Sequence, residues 1–576
     1  MTPALPVPHP SIVHALLVHA ERGSDAAATI FVPDRGADPD DADIRWRHDD
    51  LVPAACRAAT VLAEAGVGEG DRVLLGLPTS PDFLTAFFGA LVLGAIPTAT
   101  APPGGFGSAE VFHGRVRALL GYLRPAAVIA PGAVSAAAEL PAGVAAIDGA
   151  VLHAAATDPA TPARAPRLPA PSDTAFIQAT SGSTGTPKGV RVTHANLAAN
   201  CAQIGHAASM RPGETWVGWL PLHHDMGLIG GFLNPMYHGN DAVLMPPNRF
   251  LRRPGDWLRA VHTYRGSFTA APNFAYGYTA ARVTDAELDG VDLSSWRFLF
   301  CGAEPIHPPT VQRFVDRFRA YGLPGDALVP CYGMAEASLA VTVARPHAPV
   351  AYDSVSRQAL TTTGKVVDVP DGDADALQIA DCGAPVLGTE VRIVDADGLE
   401  CGDDVTGRIQ FRGPSTTPGY FELPEITAQA RDGDWWDTGD IGYLRAGRLR
   451  ITGRQKDLII IRGANHPPTD FEIAAEAVPG VRPGGVAAVG RPDADGASEE
   501  LHVVVETALA EGEYEALRRA VRVAVSKRTG ILPAEVVVVP PRSIPKTTSG
   551  KVQRALTRQL FVEPAMRELA QTGGAA

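Results

Sequence analysis

Two short segments confine what this chain can fold into, because each is suited to close contact with anionic oxygen and they lie far apart in the sequence. Thr180-Ser-Gly-Ser-Thr-Gly-Thr-Pro-Lys188-Gly189 gathers glycines, hydroxyls and one lysine into a single stretch. Backbone N–H groups and hydroxyls there can close around phosphate oxygens while Lys188 adds a cation. Pro545-Lys-Thr-Thr-Ser-Gly-Lys551 ends in a lysine freed by a glycine. Neither fits the G-x-x-x-x-G-K-S/T pattern, since Pro187 precedes Lys188 and Val552 follows Lys551, so a P-loop NTPase is disfavoured. Taken alone, the first segment also reads as an ordinary hydroxyl-rich surface loop.

A chain of 576 residues is too long for one compact core, so two or more domains are expected. A net charge of -13 argues against a nucleic-acid or anionic-membrane surface. Cys56, Cys201, Cys301, Cys331, Cys382 and Cys401 form no C-x-x-C pair, which disfavours a zinc site or a disulfide scaffold and favours a reducing cytoplasm. Residues 1–20 lack the basic start of a secretory signal. The apolar run Phe83 to Ile96 is short and ends at Pro97, which suits a buried helix rather than a membrane span.

Alternation of the strand Arg72 to Leu77, this helix and the strand Ala127 to Ala130 predicts βαβ layering. Residues 131–172, rich in Ala and Pro, are expected to cross the surface before a strand over Thr174 to Gln178 delivers the glycine-rich loop to a helix starting near His194. Further strands are expected at Phe298 to Cys301 and Glu390 to Val394. Past Gly453 come strands at Asp457 to Ile461, Leu501 to Glu506 and Glu535 to Val539. A helix from about Tyr514 to Lys527 carries Leu517, Val521 and Val525 at helical spacing. The last dozen residues are expected to fray.

Five more segments follow in order: Trp219-Leu-Pro-Leu-His-His224-Asp225-Met-Gly-Leu, Gly302-Ala-Glu304-Pro305, Tyr332-Gly-Met-Ala-Glu336, Trp436-Asp-Thr-Gly-Asp440 and Gly453-Arg454-Gln-Lys456-Asp457. With the two above, this series resembles the adenylate-forming enzymes (acyl-CoA synthetases, adenylation domains and luciferases), from about residue 50 to about 556. More narrowly, Trp219 to Gly231, Ala271-Pro-Asn-Phe-Ala-Tyr276 and Leu458 to Pro467 resemble the fatty acyl-AMP ligases. One departure is Cys301, where those ligases tend to carry Asn before Gly-Ala-Glu.

The resemblance implies an α/β fold with a large N-terminal adenylate-forming domain of layered α/β subdomains, residues 1–453, and a small mobile C-terminal α/β domain, residues 454–576. It implies ATP and Mg²⁺ as cofactors. Thr180, Ser181, Gly182, Ser183, Thr184, Gly185 and Lys188 would hold the β and γ phosphates, and Glu336 the Mg²⁺. Gly302, Ala303 and Glu304 would line the adenine, with Tyr332 on its face and Gly333 and Met334 beside it. Asp440 would accept from the ribose hydroxyls, with Arg454 nearby. His224 would sit beside the substrate carboxylate, although a merely packed histidine is the plain alternative. Lys551 would be the catalytic lysine bridging the attacking carboxylate and the α-phosphate, with Lys546 the neighbour it could be mistaken for. Lys456 occupies the hinge about which the small domain turns between half-reactions.

Residues 352–380 form an extra polar stretch placed like the insertion by which fatty acyl-AMP ligases restrain the small domain and exclude coenzyme A; a plain surface loop is the competing account. Gly463-Ala-Asn-His-Pro-Pro replaces the Gly-x-x-Ile-x-Pro loop expected of a coenzyme A synthetase. Both point to the phosphopantetheine arm of an acyl carrier protein as acceptor. No carrier domain follows residue 556, so that partner is expected on a separate chain, docked on a local basic patch. The expected activity is conversion of a fatty or related carboxylic acid to acyl-AMP, then transfer to the carrier. A coenzyme A ligase and a non-catalytic acyl-adenylate-binding relative are the alternatives. Gly227, Gly230 and Gly231 with Leu228, Ile229 and Phe232 suggest an apolar acyl channel, whose end would set chain length.

Overall fold

The computed structural model describes residues 5–25, 27–34, 42–103, 109–132, 140–180, 188–492, 498–547 and 550–562. A nine-stranded sheet organises the large part. Its order is Ala384–Pro385, Ala340–Val343, Leu328–Gly333, Phe298–Cys301, Phe268–Ala271, Thr215–Gly218, Asp241–Leu244, Ala28–Phe31 and Ile44–Arg47. The strands from Leu328–Gly333 through Ala28–Phe31 run parallel. Apolar side chains cover both faces, as parallel strands require. Loops leaving the carboxyl ends of such strands are where open α/β sheets place their ligands. Those loops here are 219–225, 272–274, 302–305 and 334–338.

A second, parallel sheet of Ile96–Ala99, Arg72–Leu75, Ala127–Ala130 and Ala145–Asp148 confirms the βαβ expectation. The helix Pro81–Leu93 is buried along its length, and its Phe88 meets Phe232 edge to face. Within 131–172, residues 133–139 lie outside the described residues. The rest differs from the expected surface crossing: the strand Ala145–Asp148 and the helix Gly149–Thr157 belong to this layer, with Leu152 and Ala156 buried. Alanine packs closely without periodic bulk, so composition hid a layered element.

The glycine-rich segment also differs from expectation. Strand Thr174–Thr180 does not lead to a helix; Lys188–Thr193 returns antiparallel beside it, and the helix His194–Ala207 starts only after that strand. At about 3.3 Å per residue, the helix start lies roughly 20 Å from Lys188 at the other end of the strand, too far for its dipole to act at that stem. Thr193 and Asn196 close that helix with a capping box instead.

An antiparallel sheet of Glu390–Val394, Gly407–Arg412, Trp435–Arg445, Arg431–Asp432 and Arg448–Arg454 completes the large part. After the single turn Gln455–Asp457, the chain builds a separate core around Val486–Pro492, Glu499–Glu506 and Glu535–Val539. The helix Tyr514–Thr529 buries Leu517, Val521 and Val525 as expected and ends at Gly530, whose φ of +73° suits only glycine well. The last dozen residues lie outside the described residues.

Residues 352–380 fold rather than wander. Tyr352–Ser356 pairs with Ala376–Ala380, and the helix Arg357–Thr363 opens between them. Asp353 accepts from Tyr443 Oη at 2.7 Å and faces Arg450 Nε at 3.0 Å, which fixes this unit to the large part. On its other side, Arg357 grips Asp470 of the small part through Nε and through Nη2 to Oδ1 at 3.2 Å. Both partners are buried, and Arg528 Nε reaches the same carboxylate at 3.2 Å.

Candidate active site

Lys551 and His224, from different cores, line one pocket with Trp219, Phe274, Ala303 and Glu304. The pocket lies outside the carboxyl ends of the parallel strands. His224 follows the Trp219 to Pro221 turn and is held by its N–H to Pro221 O at 3.1 Å. Its Nδ1 lies 2.8 Å from Asp225 Oδ1. Burial pushes the Asp225 carboxyl up, but His224, Lys551 and the Met226 N–H outweigh it and hold it below its usual value. Burial lowers the Lys551 ammonium from the ordinary lysine value against the pull of Asp225, Glu304 and Asp440. Lys546 is turned away: its Nζ donates to Gly484 O at 2.7 Å.

Cβ at Gly302 would meet Cys331 O and Sγ at 2.9 Å, and Ala303 takes φ +67°, so this turn is tight and strained. Glu304 lines the pocket beside Lys551, its Oε1 accepting from Phe274 N at 2.6 Å. Burial pushes its carboxyl up to about 7 against that N–H and the two lysines. Glu304 therefore binds its proton more tightly folded than unfolded, so stability falls as pH rises from 4.5 to about 7 and stays lower above. Glu304→Gln should leave melting unchanged at pH 4 and raise it by a few degrees at pH 8, read by scanning calorimetry. The Cys301 departure does not reach the pocket: its side chain is fully buried in the core with Ala271 and Tyr276.

A second cluster joins Tyr332, Asp440 and Arg454. Tyr332 Oη donates to Asp440 Oδ2 at 2.6 Å, and Arg454 Nε to Oδ1 at 2.9 Å. Gly333 has no room for a side chain, since a Cβ would stand 1.9 Å from Leu339 O, and Met334 N donates to the same oxygen at 2.8 Å. Glu336 sits in the turn that follows, buried, with burial pushing its carboxyl up. Of the glycine-rich loop, Ser181, Gly182, Ser183, Thr184 and Gly185 lie outside the described residues. Its stems are Thr180 and Lys188, paired across the hairpin. Lys456 is exposed in the turn Gln455–Asp457 between the two cores.

Two features escaped sequence reasoning. Tyr420, beside Glu336 and Lys188, follows only an undistinguished Pro-Gly. The pocket itself extends along Leu220, Met226 and Leu251, with Trp219 stacked on Phe250 at 3.8 Å. Leu228, Ile229 and Phe232 do not line it; they are buried in the core on the π-helix Met226–Leu233. The extra residue per turn of that helix rotates them inward, and π-turns of this kind are frequent at functional sites. Among the described residues no helix is long and apolar enough to cross a membrane.

The fold is that of an adenylate-forming enzyme. The chain matches the AMP-binding enzyme family over residues 17–421 and belongs to it, within the fatty acyl-AMP ligase group. It is 37% identical to a 4-hydroxyphenylalkanoate adenylyltransferase of Mycobacterium marinum over 67% of this chain, spanning 65% of that protein's length. It is 33% identical to the medium-chain-fatty-acid acyl-carrier-protein ligase JamA of Moorena producens over 88% of each chain. A solved structure from work on fatty acyl-adenylate ligases of E. coli and L. pneumophila aligns with a TM-score of 0.87 at 31% identity, covering 99% of both chains.

Proposed function

We propose that this chain joins a fatty or related carboxylic acid to ATP, forming acyl-AMP and pyrophosphate, and then passes the acyl group to the phosphopantetheine thiol of a separate acyl carrier protein. The observation that carries this reading is the convergence of Lys551 and His224 on one pocket, with the Tyr332, Asp440 and Arg454 cluster beside it. In the first step a carboxylate oxygen attacks the α-phosphorus and pyrophosphate leaves. Both partners are anions, so positive groups must meet the charge that builds between them. Lys551 supplies that charge, and His224, steadied by Asp225, orients the carboxylate. Asp440 holds the ribose hydroxyls with Arg454 beside it; Tyr332, Gly302 to Glu304, Gly333 and Met334 form the adenine side. Thr180, residues 181–185 and Lys188 take the outer phosphates. In the second step the thiol attacks the acyl carbonyl and AMP leaves.

Among the described residues no three His, Cys, Asp or Glu side chains could hold a metal by themselves. A single buried carboxylate, Glu336, suits Mg²⁺, which binds through one or two carboxylates and completes its shell with water and substrate phosphates. When bound, the ion neutralises phosphate charge. Six free cysteines support a reducing cytoplasmic setting.

The reading divides the chain into a large domain, residues 1–453, and a small domain, residues 454–576, with Lys456 as hinge in the turn Gln455–Asp457 just after the boundary. The unit at 352–380, tied to both by buried ion pairs, supports a carrier rather than free coenzyme A as acceptor. Docking is assigned to the helix Tyr514–Thr529, which carries Arg518, Arg519, Arg522, Lys527 and Arg528 against one acid, Glu515. Val523, 66% exposed, sits on the face that Arg519 shares. That surface complements an acidic carrier. Reversing Arg519, Arg522 and Lys527 to Glu should raise the carrier KM about tenfold and leave pyrophosphate release unchanged, measured by steady-state transfer kinetics.

The function is tested by mass spectrometry of the protein with ATP, Mg²⁺ and a ladder of carboxylic acids, split between coenzyme A and a phosphopantetheinylated carrier. Acyl-AMP with transfer to the carrier alone is expected. Ready acyl-CoA formation overturns the acceptor, and no adenylate from any acid overturns the activity. Each methylene buried within the pocket should contribute about 0.8 kcal/mol, about a fourfold step in the ladder, and the steps should stop where the pocket ends.

A further inference from the structure

The strongest group left unused is a tyrosine that stands between two residues assigned to the triphosphate. Tyr420 Oη donates to Glu336 Oε1 at 2.7 Å. The Lys188 ammonium lies over the same ring, 5.0 Å from its centroid. One side chain thus holds a carboxylate at its edge and a cation on its face, and the two contacts are chemically separable.

The backbone around it shows that this placement is built rather than incidental. Arg191 N donates to Gly419 O at 3.1 Å and Phe421 N to Gly189 O at 2.8 Å, so Tyr420 makes an antiparallel bridge to Val190 on the returning arm of the glycine-rich hairpin. Tyr122 clamps the same junction, accepting from Gly189 N at 3.2 Å and donating to Phe421 O at 2.5 Å. On the other side, Thr417 N donates to Glu336 O at 2.8 Å. The segment therefore links the stem of the loop to the turn that carries Glu336. Burial raises the Tyr420 phenol above its usual value.

We propose that Tyr420 is a positioning residue for the metal–triphosphate end of the site, setting Glu336 through its hydroxyl and Lys188 through its ring. The proposal rests on the adenylate-forming reading above. Its two halves predict different losses. Tyr420→Phe keeps the ring and removes only the donor to Glu336; Tyr420→Leu removes both.

Isothermal titration calorimetry of the full chain with α,β-methylene-ATP, with and without Mg²⁺, reads the two halves apart from turnover. Tyr420→Phe should weaken binding about tenfold in Mg²⁺, the worth of one hydrogen bond to a charged group, and leave metal-free binding within twofold. Tyr420→Leu should weaken binding several-fold without metal as well, because Lys188 loses its support. Equal losses for Tyr420→Phe with and without metal would mean a general structural defect and overturn the proposal, as would binding by both variants that matches the parent chain. If the parent chain itself fails to bind the analogue, the nucleotide reading falls and this proposal with it, an outcome distinct from a failure of Tyr420 alone.

Discussion

Lys551→Ala should lower acyl-AMP formation by about 10²- to 10³-fold, the usual consequence of removing one preorganised charge-stabilising donor. The residue sits in the same pocket as His224 and Glu304; burial lowers its ammonium from the ordinary lysine value, and Asp225, Glu304 and Asp440 oppose that lowering. On the proposed mechanism, alanine removes the cation that meets the attacking carboxylate and the α-phosphate, yet leaves the proposed acid and nucleotide contacts in place. The loss should therefore fall on kcat, with both KM values little changed. The second half-reaction separates this role from a structural one: transfer of supplied acyl-AMP to the carrier should proceed near the parent rate, because that step does not need the lysine in this position. Lys546→Ala is the control. Its ammonium is committed to Gly484 O in the small core, so its loss should affect stability more than rate. Pyrophosphate release and single-turnover transfer measure the two steps. Unchanged pyrophosphate release by Lys551→Ala would remove the lysine from the reaction.

Legibility in the sequence followed the range of the interactions involved. The strand Phe298–Cys301 and the helix Tyr514–Thr529 lie where short-range apolar patterns put them, the strand as a continuous apolar run buried on both faces and the helix as a single apolar stripe. The hairpin at the glycine-rich loop was written too, in Val190 and Val192 buried on either side of Arg191, but its short alternation was masked by the helix that follows. The acyl pocket failed for a different reason. Glycines and apolar residues at 227–232 suggested a channel, whereas Leu228, Ile229 and Phe232 of the π-helix are buried in the core and Met226 lines the pocket. Period-based reading has no provision for a turn that gains a residue. Tyr420 and the pair of Arg357 with Asp470 left no local trace, because each acquires its role from residues far away in the chain.

The pair of Arg357 with Asp470 carries the second large prediction, because it is where the inserted unit meets the domain that has to move. Thiol transfer in this reading requires rotation about Lys456, and rotation must break this buried contact. An interaction present in one conformer and absent in the other shifts their ratio by its own free energy. A buried, bidentate arginine–carboxylate pair worth about 1.5 to 3 kcal/mol corresponds to about a 10- to 100-fold shift. Removing Arg357 alone is the wrong test, since a buried carboxylate that loses its partner can cost about 3 to 5 kcal/mol of stability. Replacing both, Arg357→Met with Asp470→Leu, fills the space with apolar groups and is close to neutral for folding. Arg528, the remaining partner of Asp470, is 38% exposed in its side chain and can turn to water. The double variant should make acyl-AMP at the parent rate and pass acyl groups to free coenzyme A at least tenfold faster, because the rotated conformer is now sampled without breaking the tie. Mass-spectrometric detection of acyl-CoA in single turnover decides it. A double variant that folds, adenylates normally and leaves coenzyme A as poor an acceptor as before would show that exclusion resides in the acceptor channel and not in the restraint on the domain.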